Sequence, residues 1–360
     1  MSQKVDNPQV TIKDVARLAK VSPATVSLVM NGRPGVGAET RDRVLRITTA
    51  LNYRPNLIAR SLVKRCSYAV AMLITNTRNP IFPELAAGVE EVLIQYGYSL
   101  SIISTHDNLE CEAKEIEKIR ARGIDGIITS APLLYDHCIA SLVHTGYPVV
   151  SVLRRVYDCD ELDFVNVDGV LGGYLAIEHL IRLGHRRIGI IKGPGNTSTG
   201  VERFEGALKA FRNYEVPVSD NLLVQGDFFK KSGYGAAKEL LALPPNRRPT
   251  ALFAGNDDMA LGTFEAILEL GFRIPEDIAL VGYNNVDATA LRMVEITTVS
   301  QRKHEMGSLA AKRLIDKIEK RQGTETPFHV VLEPKLIVRK SCGFQMKSRY
   351  FTEQRANPLK

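Results

Sequence analysis

Lys4, Lys13, Arg17, Lys20, Arg33, Arg41, Arg43, Arg46, Arg54, Arg60, Lys64 and Arg65 fall within the first 65 positions, opposed there only by Asp6, Asp14, Glu39 and Asp42. The other positions carry 35 basic and 36 acidic residues, so an excess of +8 at one end is joined to a body of net charge −1. Cations confined to one segment neutralise phosphates and release their counterions, so this end reads as a polyanion-binding module. Catalytic chemistry finds no such support. His179, His185 and His304 show neither metal-ligand nor nucleophile spacing. Cys66, Cys111, Cys138, Cys159 and Cys342 are odd in number and scattered, without the paired spacing of zinc or dithiol sites, and read as reduced packing residues. The segments GGYLAI and GPGNTSTG lack the phosphate-loop lysine pattern and the full dinucleotide fingerprint. No enzyme activity, metal or cofactor is therefore expected.

Three short helices must carry the basic end. Thr11 is a good N-cap with Asp14 at the third helical position, and Ile12, Val15, Ala16 and Ala19 make one apolar face. After a short turn containing Val21, Ser22 caps a second helix that begins with Pro23, where the missing amide costs nothing. In PATVSLVMN, Val26 and Val29 can pack inward while Pro23, Ala24, Thr25, Ser27, Leu28 and Asn31 stay outside. A third helix, about Ala38 to Leu51, supplies Val44, Ile47 and Leu51, with Tyr53 just beyond. A unit of this kind lays its second helix in the major groove of DNA.

TIKDVARLAKVSPATVSLVMNG, TRDRV and LNYRPNLIARSL together resemble the headpiece and hinge of the lactose-repressor family. The resemblance implies that Pro23, Ala24 and Leu28 choose bases, while Ser22, Thr25, Ser27, Asn31, Thr40 and Arg41 contact phosphates or brace the fold. The family often has arginine at the position of Leu28. Leucine cannot make arginine's bidentate pair with guanine, although it can touch a thymine methyl. Residues 54–62 are too short to be stable as an isolated helix, so they are expected to order on DNA. By the same resemblance the paired hinge helices of a dimer enter the minor groove through Asn56, with Ala59 permitting close approach and Leu62 wedging between base pairs.

From Tyr68 onward, short apolar runs alternate with amphipathic stretches: YAVAMLI, PELAAGVEEVLIQYG, SLSIIS, and again after Val165. Pro83 suits a helix start, and Leu85, Val89, Val92, Leu93 and Tyr96 fall on one face. Such alternation builds parallel sheets, and two lobes facing each other enclose a cleft at the carboxyl ends of their strands. The family resemblance extends over residues 11 to about 343, including AGNDDMALG and IALVGYNNVDA, and implies three crossings of the chain between lobes. The expected fold is an all-α helix-turn-helix headpiece plus an α/β, two-lobed, periplasmic-binding-protein-like sensor with parallel sheets. The expected divisions are 1–53 headpiece, 54–65 hinge, 66–343 sensor and 344–360 tail.

Candidate effector contacts sit where these motifs leave strands: Ile81, Phe82, Asp168, Thr197, Thr199, Phe228, Asn256, Asp257, Asn284 and Gln301, with Asp168 and Asn256 preferred. Aromatic rings with amides and carboxylates suit a polyhydroxylated ligand. Two departures matter: the chain reads GYN at Asn284 where the family often has aspartate, and Val201 stands where some members use an arginine. Losing that arginine argues against a strongly anionic effector, and a neutral sugar or nucleoside is favoured.

The expected function is a sequence-specific transcriptional regulator, usually a repressor in this family, whose operator affinity follows effector binding between the lobes. Twofold symmetry implies a homodimer on a pseudopalindromic operator. The tail FQMKSRYFTEQRANPLK has no leucine heptads, which favours a dimer over a larger assembly. The start shows no apolar stretch of signal-peptide length and no segment approaches the roughly 20 apolar residues of a span, so no membrane partner and a cytoplasmic location are expected. Alternatives are a global catabolite regulator of the same family answering to a phosphorylated carrier protein, and a solute-binding protein, which would need a signal peptide.

Overall fold

The computed structural model describes residues 10–30, 32–53 and 66–344. Asn31, the hinge positions Asn56, Ala59 and Leu62, and the tail beyond Phe344 lie outside the described residues. The chain divides into two compact units between Ser67 and Tyr68.

In the first unit the expected helices form as α1 (Ile12–Ala19), α2 (Pro23–Met30) and α3 (Ala38–Ala50). Asp14 reaches back to the start of α1, its carboxylate accepting from the Thr11 N–H at 3.0 Å and the Thr11 hydroxyl at 2.7 Å. Lys20, left-handed at φ 51°, ends that helix. Ser22 caps α2 by accepting from the Thr25 N–H at 3.1 Å. Val15, Ala16, Ala19, Val26, Val29 and Val44 form the buried core, with Val21, Ile47, Leu51 and Tyr53 packed around it. A core this small leaves little stability in reserve. Arg43 adds a tie the helix pattern did not reveal: its Nε donates to the Ala19 carbonyl at 3.1 Å, where a cation also suits the α1 dipole.

The second unit begins as an alternation of β1 (Ala69–Ile74), α4 (Phe82–Gln95), β2 (Ser99–Ser104), α5 (Leu109–Ala121), β3 (Gly126–Thr129), α6 (His137–His144), β4 (Val149–Val152) and β5 (Asp163–Val167). It continues through α7 (Gly169–Arg182), β6 (Ile188–Lys192), α8 (Ser198–Asn213), β7 (Leu223–Gln225), α9 (Lys230–Leu241), β8 (Ala251–Ala254), α10 (Asp257–Glu269), β9 (Ala279–Asn284) and β10 (Thr297–Ser300). Then come α11 (Lys303–Ile318), β11 (His329–Leu332) and β12 (Lys335–Ile337).

The strands make two sheets of six, ordered β11-β5-β4-β3-β1-β2 and β12-β10-β9-β8-β6-β7. All pairs are parallel except β12 on β10. Helices cover the sheets, which is why β3, β4 and β8 are buried at every position. Because β11 lies beside β5 and β12 beside β10, the chain crosses between lobes after β5, after β10 and after β11. The helix α11 returns to the first lobe, where Arg313 and Lys317 both bind the buried Asp163 at 2.9 Å. On α4 the face Leu85, Val89, Val92 and Leu93 is buried as expected, but Tyr96 is not part of it. That residue lies past the helix end, is 37% exposed, and carries the Arg321 guanidinium 5.2 Å from its ring centroid.

Candidate functional site

On α2 the two valines spent inward leave Pro23 and Ala24 exposed at the amino-terminal turn, with Ser22 before them and Ser27 one turn on also exposed. Leu28 is half-buried, as are Thr25 and Thr40. An exposed first turn that carries small side chains can approach a nucleic-acid groove closely. Arg41 is committed elsewhere, its guanidinium donating to the Arg33 carbonyl at 2.6 Å and bracing the loop before α3.

Between the lobes lies a cleft of about 460 Å³, open to solvent. Its first wall consists of Thr75, Asn79, Ile81, Phe82, Asp107, Ser130, Leu153 and Arg154, and its second of Thr199, Arg203, Asp227, Phe228, Phe229, Asn256 and Asn284. Most of these residues follow the carboxyl end of a strand, where open parallel sheets leave a crevice. Asp107 (φ 54°), Leu153 (φ 73°), Phe228 (φ 70°) and Asn284 (φ 124°) are all left-handed although none is glycine. Strain shared by the two walls marks a site held in shape by its surroundings. Two glycines make room for it. A side chain at Gly193 would meet the Phe228 ring at 2.2 Å, and one at Gly172 would meet the Tyr283 hydroxyl at 2.1 Å.

The wall's charges are arranged in layers. Arg154, 5% exposed, donates to Asp107 at 2.6 Å and to the Ala131 carbonyl at 3.2 Å. Nearby, burial and the neighbouring Asp136 push the Glu112 carboxyl up to about 9, so it is protonated at neutral pH. Arg203 stands over the Tyr283 ring at 3.9 Å and the Phe228 ring at 5.6 Å, and donates to the Gly255 carbonyl at 2.6 Å. Burial pulls its pKa down and raises that of the Tyr283 phenol to about 12. The lobes also touch directly: Arg155 pairs with Glu202 at 2.6 Å, and its N–H donates to Ser198 Oγ at 2.9 Å. Lys303 donates to the Asn285 carbonyl and pairs with Glu84, both at 2.7 Å.

Six of the expected effector residues, Ile81, Phe82, Thr199, Phe228, Asn256 and Asn284, meet on this cleft. The other four stand behind it. Asp168 caps α7 by accepting from the Leu171 N–H at 2.8 Å, and Thr197 caps α8 by accepting from the Gly200 N–H at 3.2 Å. Asp257 is buried and accepts from Thr298 Oγ1 at 2.7 Å and the Val286 N–H at 2.9 Å. Gln301 donates to the Asn284 side-chain oxygen and so orients a wall residue. Sequence reasoning passed over Asp107, Arg154 and Arg203. The first two follow β2 and β4 as closely as the named residues follow their strands, so the same rule could have found them. Val201, whose lack of an arginine spoke against a strongly anionic effector, is followed two positions later by Arg203, which brings a guanidinium to the cleft.

Residues 11–56 match the model of the bacterial regulatory proteins of the lacI family, and residues 177–342 that of the periplasmic binding protein-like domain. The chain is similar to the HTH-type transcriptional repressor PurR of Proteus mirabilis, 36% identical over 335 residues covering 92% of this chain and 96% of that protein. The PurR repressor of Pasteurella multocida is 35% identical over 332 residues, covering 92% and 98%. Among solved structures it resembles the lac repressor dimer bound to operator and the anti-inducer ONPF, with 27% identity, a TM-score of 0.81, and coverage of 92% of this chain and 99% of that one. The complex of the transcriptional regulator CelR with cellobiose gives 30% identity, a TM-score of 0.69 and the same coverage.

Proposed function

This chain belongs to the lacI family of bacterial regulatory proteins and is a DNA-binding repressor under small-molecule control, and we propose the following division of labour among its residues. Pro23, Ala24 and Leu28 read base edges from the exposed start of α2, with Leu28 limited to apolar contacts such as a thymine methyl. Ser22, Thr25, Ser27, Asn31 and Thr40 serve phosphates, and Arg41 braces the loop it already holds. Asn56, Ala59 and Leu62 act at the minor groove of a pseudopalindromic operator, bound by a homodimer in the cytoplasm. The protein works by binding, without turnover.

The observation that carries the sensor half is the shared wall, with residues of both lobes facing one cleft. A ligand touching both walls favours the arrangement in which they meet, the same arrangement that brings Arg155 to Glu202. Its differential affinity for that arrangement is the source of control, and reciprocity requires operator DNA to change effector affinity by the same factor. Selection of bound sequences from random double-stranded DNA, repeated across a salt series, tests the reading. A recovered palindrome is expected; sequence-blind binding that vanishes with salt, with and without sugars or nucleosides, refutes it.

A further inference from the structure

The cleft's hydrogen-bonding groups are unevenly spent. Asn256 is engaged at both ends, its oxygen accepting from the Met259 N–H at 2.9 Å and its amide donating to the Phe228 carbonyl at 2.8 Å. Asp107 and Arg154 neutralise each other at 2.6 Å. Arg203 is different. It is 5% exposed, it donates through one nitrogen to Gly255, and its Nε meets no hydrogen-bond partner among the described residues.

The acids nearest to Arg203 have commitments of their own. Glu202 pairs with Arg155, and Asp257 holds Thr298 and the Val286 amide. The Tyr283 phenol beneath the guanidinium stays neutral, so the ring stabilises the cation by its face and supplies no counter-charge. Asn284 adds a donor beside it. Its side-chain oxygen is taken by Gln301, which leaves the NH2 for the cleft. A desolvated cation with an open nitrogen and an amide donor calls for an anionic acceptor.

Resting on the reading of this cleft as the effector site, we propose that the effector is a polyhydroxylated carboxylic acid, a sugar acid, whose carboxylate is bound by Arg203 and the Asn284 amide. One uncompensated cation matches a monoanion. A phosphate ester would need a second free cation, and Arg154 is already consumed by Asp107. Asp227, the remaining acid of the wall, is solvent-exposed and accepts from the Phe229 N–H at 2.8 Å, so its field is screened.

Calorimetry on the full chain with matched pairs tests this: galacturonate against galactose, glucuronate against glucose, and gluconate against sorbitol. At least one acid is expected to bind about tenfold or more tightly than its neutral partner, the margin of a charge-assisted over a neutral hydrogen bond. Asn284→Asp sets a carboxylate against the ligand's own, and aspartate is common at this position in the family, so the variant should fold. It is expected to erase the acid's advantage. If no acid outbinds its neutral partner, or Asn284→Asp leaves the ratio unchanged, the proposal is overturned. Phe228→Ala separates the two readings. A neutral sugar that wins and is weakened by Phe228→Ala leaves the cleft as effector site and removes the acid, whereas acid binding indifferent to Phe228→Ala removes the cleft itself.

Discussion

The headpiece and the sensor cleft solve recognition in opposite ways. The headpiece spends its buried residues on a small core and carries its recognition groups outside, on one helix and its flanks, within a span from Ser22 to Arg41. The cleft gathers groups from Thr75 to Asn284, mostly buried, and fixes many of them by hydrogen bonds, as Asp107 to Arg154, Asn256 to the Phe228 carbonyl and Asn284 to Gln301. The first design separates folding from contact, so a base-facing side chain can change without cost to the core. In the second, a wall residue such as Asn284 is also a partner of Gln301, and function and stability are coupled.

The sharpest way to break this contrast is Val44→Asp, which buries a charge in the headpiece core at a cost of about 3–5 kcal/mol. Operator affinity measured by fluorescence anisotropy is expected to fall at least about 100-fold. The calorimetric transition of the sensor should stay where it was; a shift of comparable size would mean the two units do not fold independently. Next in size is Gly172→Ala, whose methyl would collide with the Tyr283 hydroxyl. A loss of about 1–3 kcal/mol in sensor stability is expected from overpacking, seen in urea denaturation and partly restored by Tyr283→Phe.

Glu112 sharpens the comparison through pH. Its folded pKa of about 9 lies above the unfolded value, so its contribution is full at low pH and is lost as pH rises from about 4.3 toward 9. Glu112→Gln cannot ionise and should flatten the fall in sensor melting temperature across that window, becoming the more stable protein at pH 8. Identical pH profiles for the two proteins would show that the buried carboxyl does not titrate with folding. The smallest effect belongs to the headpiece again: Ser22→Ala removes the α2 cap and should cost about 1 kcal/mol. Its signature is a slightly lower headpiece melting temperature with base preference unchanged.

The same contrast explains what could be read in advance. Thr11 bonds to Asp14 and Ser22 accepts from the Thr25 N–H, each within four residues in sequence, so helix starts were legible from local chemistry alone. Strand exits were nearly as legible, and Asn256 and Asn284 were found by them. Arg203 was not, because an arginine on an amphipathic helix ordinarily faces water. It is the ring of Tyr283, eighty positions away, and the carbonyl of Gly255 that hold it inside. Asp168 and Asp257, which stand behind the cleft, show the converse. A carboxylate after a strand serves equally as a helix cap or as a ligand contact, and only tertiary placement decides between them.

The threefold crossing of the sensor has a consequence for the chain as it is made. The first sheet receives one of its edge strands only from His329–Leu332, and one of its covering helices only from Lys303–Ile318. The headpiece core is complete once Tyr53 has emerged. At a synthesis rate of about 5–20 residues per second, roughly 15–60 s separate the two events. A nascent chain therefore carries a finished DNA-reading unit ahead of an unfinished control unit, and its apolar strands wait longest for the partners that arrive last.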